Sequence, residues 1–299
     1  MMKRVVCLLI VILALFVVVL AGCSSGEDGT KDTVRITHKN YTEQRLTGQM
    51  LSIYIAENTD YSTEVTELGG TLLCWNALVD GQVDMYAEFT GSAYGAILEQ
   101  TGRLGTQETY DFVKNATEEQ YGITWLDPLG WNNTYVLSVR KGTAEELQLQ
   151  TISDLVPHAK NMVLGGDAEF LARLDGIIGL KEEYGLEFKD ERGMDQGLTY
   201  AALRDGQLDV NSSFSTDGRI AKFDLVNLED DKAFFPPYYV TPIMKIEFAE
   251  AHPDLIETLR KLGGQWTESE MQVYNLKVDE GADVEEVARE MLKDKGLID

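Results

Sequence analysis

Apolar positions along the chain follow two alternating spacings. Strand-like runs occur at Val34–Thr37, Thr63–Leu68 and Asp84–Phe89, and again in "TYVLSVR" (134–140), "NMVLGG" (161–166), "LEFK" (186–189) and Leu208–Val210. Between them lie runs with helical spacing: Arg45–Ala56, the stretch from "GGT" (69–71) through Val79, Ser153–His158, residues 167–185 as one helix or a pair, and Leu198–Arg204. Strand and helix in alternation predict an α/β protein with mostly parallel sheets and helices on their faces. "FFPPYYVTPI" (234–243) interrupts the pattern with Pro236, Pro237 and Pro242. A helical tail follows at Asp254–Leu262, Thr267–Tyr274 and Val284–Leu292, and Thr267 with Glu270 has the spacing of a capping box.

The pattern runs twice. "DGQVDMYAEFTG" (80–91) returns as "DGQLDVNSSFST" (205–216), 125 positions later, with Phe89 and Phe214 in the same slot. A strand, tight turn and helix at Ile36–Thr42 return 127 positions on, at Val163–Phe170. A helix–Asp–Gly–strand turn is common on its own, but two landmarks at matching offsets point to duplication of one α/β lobe. The helical tail is expected to pack back on the first copy. Residues 34–134 with 240–299 then form one lobe and 135–239 the other, joined by two hinge crossings. In such lobes ligand-facing loops sit at the C-terminal ends of the strands. Phe89 and Phe214 fall there, one on each side of a cleft.

The N-terminus departs from this pattern. Lys3 and Arg4 precede an apolar run, Val5 to Leu20, which ends in "LAGC" (20–23). The run approaches membrane-spanning length. A cysteine placed where it stops instead predicts a signal peptide over residues 1–22 and a lipid on Cys23. Residues 23–33 then form a lipidated, small and polar tether to the outer face of a bacterial membrane. The formal net charge of −24 disfavours nucleic acid and anionic lipid headgroups as partners. With Cys7 in the leader and Cys23 lipidated, Cys74 stands alone, so no internal disulfide is expected.

Candidate chemistry points to binding rather than turnover. His38, His158 and His252 have no metal-ligand spacing. "GSAYG" (91–95) has its serine in the wrong slot for a nucleophile elbow, and "SVRK" (138–141) lacks the companions of an S-x-x-K enzyme. No phosphate or dinucleotide loop occurs, and no cofactor is implied. The lobe ends are instead rich in rings: Phe89, Tyr94, Trp131, Tyr135, Phe214, Tyr238 and Tyr239. Aromatic faces suit a quaternary ammonium, whose charge is spread over methyl groups that cannot donate hydrogen bonds.

Seven segments in order carry a family likeness: "KNYTEQ" (39–44), "LGGT" (68–71), "EFTGSAY" (88–94), "NNTYVLSV" (132–139), "EFLARLDG" (169–176), "STDGRI" (215–220) and "FFPPYY" (234–239). Through them the chain resembles the substrate-binding lipoproteins of osmoprotectant ABC transporters, the glycine betaine/carnitine/choline family. The resemblance implies a two-lobe type II periplasmic-binding-protein fold and a monomer that hands a small quaternary amine to a membrane permease. It places an aromatic cage at Phe89, Tyr135, Phe214 and Tyr238. It places carboxylate contacts at Lys39, in a loop after the first strand, at Ser92 and at Arg173. Arg173 can fork onto a ligand carboxylate or pair with Asp175 or Glu169. Asn133 either orients a ring, touches the ligand or serves as a turn residue.

Two of the family's frequent cage tyrosines are Phe89 and Phe214 here, which keep the π face and lose the hydroxyl. Apolar Leu72 follows "GGT". Both features fit a bulkier or less polar amine. Lys39 and Arg173, facing the cleft, would favour a ligand with a carboxylate over choline. The alternatives are a ligand-sensing receptor subunit of the same fold, a binder of an ergothioneine-like betaine, and an extracellular enzyme on a duplicated scaffold.

Overall fold

The computed structural model describes residues 32–299. The expected signal peptide, Cys23 and nearly all of the tether lie outside the described residues. Among the described residues no helix is long and apolar enough to cross a membrane.

The chain opens with β1 (Thr33–Lys39), α1 (Thr42–Asn58), β2 (Ser62–Gly69), α2 (Thr71–Val79) and β3 (Met85–Phe89). Thr90–Ser92 and a π-helical turn at Ala93–Ile97 lead to α3 (Thr106–Tyr121) and β4 (Ile123–Trp125). A second series follows: β5 (Tyr135–Arg140), β6 (Val163–Gly166), α4 (Ala168–Ala172), α5 (Ile177–Tyr184), β7 (Asp190–Gly193), α6 (Gln196–Arg204), β8 (Val210–Phe214) and β9 (Leu225–Leu228). Last come β10 (Val240–Lys245), α7 (Pro253–Arg260), α8 (Glu268–Asp279) and α9 (Val284–Asp294).

These strands form two five-stranded sheets, ordered β2-β1-β3-β10-β4 and β7-β6-β8-β5-β9. Both are mixed. β1 runs parallel to β2 and β3, while β10 runs antiparallel to β3 and β4. β6 runs parallel to β7 and β8, while β5 runs antiparallel to β8 and β9. One sheet is therefore a copy of the other, and in each the opposed strand is the one the chain enters on crossing from the other sheet.

The duplicated phrases fold as the same turn. Asp80 N donates to Asn76 O, Gly81 N to Leu78 O and Gln82 N to Ala77 O. Asp205, Gly206 and Gln207 make the same three bonds to Ala201, Leu203 and Ala202. Gly81 (φ 71°) and Gly206 (φ 76°) both take the left-handed conformation that closes a helix, which a side chain would strain. Thr267 and Glu270 form the expected capping box on α8.

Several edges differ from the sequence pattern. β7 starts at Asp190, one residue after "LEFK", and β8 runs from Val210 to Phe214 rather than from Leu208. Helix α3 falls in a stretch with no sequence prediction. Its buried positions are Thr109, Val113 and Thr117, so its inner face is two-thirds threonine and gives little apolar periodicity. The threonines satisfy themselves: Thr117 Oγ1 donates to Val113 O at 2.8 Å and accepts from Trp125 Nε1 at 2.9 Å.

The two crossings run side by side. Asn132 and Tyr239 form an isolated antiparallel bridge, Asn133 N donates to Tyr238 O at 3.0 Å, and Tyr238 N donates to Asn132 Oδ1 at 2.7 Å. One continuous apolar cluster passes between the sheets through Phe89, Trp131, Tyr135 and Tyr238.

Candidate ligand cavity

The strand ends of both sheets face a common cavity of about 640 Å³. Phe89 is the last residue of β3 and Phe214 the last of β8. Tyr135 opens β5 directly opposite Phe214 in the ladder, which puts their ring centroids 5.3 Å apart. Tyr238 lies two residues before β10 and meets Tyr135 edge-on at 5.7 Å. Its hydroxyl donates to Asp175 Oδ2 at 2.6 Å. A Cβ on Gly91 would come within 2.5 Å of the Tyr238 ring, so the glycine of "EFTGS" lets that ring lie against the backbone.

All eight residues expected to contact the ligand line this cavity: Lys39, Phe89, Ser92, Asn133, Tyr135, Arg173, Phe214 and Tyr238; the other lobe-end rings, Tyr94, Trp131 and Tyr239, do not. Lys39 is not in a loop; it is the last residue of β1. Its ammonium lies 2.6 Å from Glu88 Oε1 and 5.1 Å from the Phe89 ring centroid. Glu88 is wholly buried on β3, where Tyr86 Oη and Phe89 N also donate to it. Its neighbours thus hold the lysine at the cavity wall.

Arg173 combines the two readings the sequence left open. It lines the cavity and also pairs inward, with Nε 2.7 Å from Asp175 Oδ1 and Nη1 3.1 Å from Glu169 Oε2. Ser92 Oγ accepts from its two terminal nitrogens at 3.4 Å. Its guanidinium carbon stands 5.9 Å from the Tyr135 ring centroid. Both cavity cations therefore already hold a carboxylate. A ligand carboxylate reaching them would share Lys39 with Glu88 and Arg173 with Asp175 and Glu169. Asn133 Nδ2 donates to Glu43 Oε1 at 2.8 Å, which makes it a brace for the crossing segment.

Sequence reasoning passed over three groups and named a fourth, Glu169, only as a pairing partner of Arg173. Tyr41, just before α1, sets its ring 5.2 Å from Phe214 and 6.5 Å from Phe89. Glu43 in the first turn of α1 accepts from Trp131, Asn133, Thr216 and Asn275. Burial pushes its carboxyl above the usual range, and those four donors oppose the shift. Asp167 caps α4 by accepting from Phe170 N at 2.8 Å, and burial raises its carboxyl as well. Glu169 reaches across to the start of α2, where Thr71 N and Thr71 Oγ1 (2.7 Å) donate to it. Helix-leading positions carry these side chains, where an acid or tyrosine reads as an ordinary cap or surface residue. Burial raises the phenols of Tyr41, Tyr135 and Tyr238 well above the ordinary tyrosine value, so the rings stay neutral.

The family model described as the substrate binding domain of ABC-type glycine betaine transport systems matches residues 32–294. The chain belongs to this family. It is 35% identical over 284 residues to the carnitine transport binding protein OpuCC of Listeria monocytogenes, covering 93% of this chain and 92% of that protein. It is 33% identical over 280 residues to a glycine-betaine-binding protein of Pseudomonas aeruginosa, covering 90% and 89%. A crystal structure of a glycine betaine/carnitine/choline ABC transporter protein matches with a TM-score of 0.74 at 34% identity, over 90% of this chain and 100% of that one. The two mixed sheets with flanking helices are thus a type II periplasmic-binding-protein fold. The family is one of solute-binding transport proteins, not of enzymes.

Proposed function

We propose that the protein captures a quaternary-ammonium compatible solute of the glycine betaine, carnitine or choline type and delivers it to an ABC permease. The lobes of this reading are residues 34–134 with 240–299 and residues 135–239. They hinge on the paired crossings and close on the ligand. The family acts outside the cytoplasm. We place this member there as a monomer held to the membrane by a lipid on Cys23, so that a tethered, loaded protein meets its permease at high local concentration.

The observation that carries the reading is the convergence of Phe89, Tyr135, Phe214 and Tyr238, drawn from both sheets, on one cavity. The cage grips the ammonium end through ring faces that also exclude water, each worth about 0.5–2 kcal/mol. Lys39 and Arg173, each engaged by an internal carboxylate, shape the polar end. Closure follows because a ligand touching both lobes favours the closed form over the open one.

Titration calorimetry against glycine betaine, carnitine, choline and proline betaine tests this. Micromolar-range binding of at least one is expected, and Phe214→Ala should weaken it about tenfold or more. Binding of none by the wild type would overturn the function. Undiminished binding in the variant would remove Phe214 from the cage.

A further inference from the structure

We propose that Tyr41 is a fifth wall of the cage and the residue that limits how large an ammonium head it accepts. The inference rests on the cage reading above and adds a residue to which the family resemblance assigns no role, although it lies within "KNYTEQ".

Three of the four expected rings form a contiguous group: Tyr135 touches both Phe214 and Tyr238. Phe89 stands apart from them. Among the described residues the one ring paired with Phe89 is Tyr41, stacked at an interplanar angle of 24°. The same ring meets Phe214 at 35°. Tyr41 is therefore the link between the aromatic wall of β3 and that of β8, and its ring sets how far apart Phe89 and Phe214 stand.

Tyr41 also lies on a boundary. A second cavity of about 210 Å³ adjoins the first, lined by polar groups that include Glu43, Thr216, Asp217, Arg219 and Asp279. Tyr41 and Phe214 are the two rings that line both spaces, together with Asn40, Asn133, Asp195 and Gln196. One side of the boundary is the cage and the other a charged chamber. A cation held by ring faces is gripped more tightly as water is excluded, so the partition strengthens every other wall. Its removal would widen the opening between the two spaces, lengthen the cage and admit solvent and bulkier groups.

The backbone is set for this role. Tyr41 is the N-cap residue of α1 in an extended conformation (φ −133°, ψ 163°), and its side chain makes no capping hydrogen bond. A serine or aspartate would serve the helix better there. The position gives up a cap for a ring directed toward Phe89 and Phe214.

Calorimetric titration of the full chain with tetramethylammonium, choline and tetraethylammonium tests the proposal in wild type, Tyr41→Phe, Tyr41→Leu and Tyr41→Ala, with circular dichroism confirming folding. Wild type and Tyr41→Phe should bind alike and prefer tetramethylammonium and choline over tetraethylammonium. Tyr41→Leu, which keeps bulk without a π face, should lose about tenfold in affinity and keep the size preference. Tyr41→Ala should lose affinity for the small ions and lose the preference. If the wild type binds while Tyr41→Leu and Tyr41→Ala keep its affinities and size preference, the fifth wall is refuted and the cage stands. If the wild type binds none of the ions, the fifth wall is refuted, because no size-limited ammonium site is present; the cage reading itself falls only if glycine betaine, carnitine and proline betaine also fail to bind. A folded Tyr41→Leu protein alone suffices to decide, should Tyr41→Ala not fold.

Discussion

At the scale of the residue, charge decides more than the rings do. Asp175 is buried and neutralises Arg173 while accepting from Tyr238. A ligand carboxylate must compete with that built-in partner for the guanidinium. Asp175→Asn removes the competing charge and leaves the shape. Specificity is a difference of affinities, so freeing Arg173 should raise the ratio of glycine betaine to choline affinity by about tenfold. Parallel titrations with the two ligands give that ratio, and an unchanged ratio would show that Asp175 does not guard the arginine. The eight sequence candidates share one cavity because they fall at or beside the strand ends and the two crossings that face it. Asp175 was legible as a partner of Arg173 two positions away, but Glu88 and Tyr41 were not. Their importance comes from what they touch across the fold, and nothing in local spacing encodes a partner such as Glu88 for Lys39, 49 positions away.

At the scale of the element, two helix starts meet across the cleft. Glu169 in the first turn of α4 accepts from Thr71 at the first turn of α2, and a Cβ on Gly70 would collide with the Glu169 carboxylate. A carboxylate at a helix N-terminus is favourable, since the unpaired amides there donate to it. Burial alone would raise the Glu169 carboxyl; Lys39, Arg173 and the Thr71 donors outweigh it and hold the carboxyl below its usual value. A depressed acid contributes stability above its unfolded pKa of about 4.3, and that contribution fades as pH falls through the folded value. Melting curves of wild type and Glu169→Gln should therefore differ by a constant amount above about pH 5 and converge on further acidification. A gap that ignores pH would mean the ionised form contributes nothing. The repeat made most elements legible, since matching phrases gave matching turns at Gly81 and Gly206. Helix α3 was hidden because its inner face is threonine, and the antiparallel sense of β5 and β10 was hidden because strand direction within a sheet leaves no periodic trace.

At the scale of the molecule, the closure proposed above would depend on what stays fixed while the two proposed lobes turn. Glu43 is the strongest candidate for that fixed point. Its two oxygens collect Trp131 and Asn133 from the first crossing, Thr216 from beyond β8 and Asn275 from α8. One buried carboxylate thus ties α1 to the crossing segment before β5, the segment after β8 and the C-terminal helix α8. Glu43→Gln replaces one oxygen with a donor, and that donor must face at least one other donor. Leaving buried groups unmatched in this way should cost about 2–3 kcal/mol, read as a lower denaturant midpoint. The loss should also appear in shape. If the node holds the crossings in register, small-angle scattering should give the ligand-free variant a larger radius of gyration than the wild type. Saturating ligand should shrink both toward the same value, because the closed form regains its contacts from the ligand side. Affinity then falls in proportion to the fraction of variant molecules still able to close, without any change at the cage itself. A variant that loses stability but scatters and binds like the wild type would make Glu43 a brace of the fold and not the pivot of its motion.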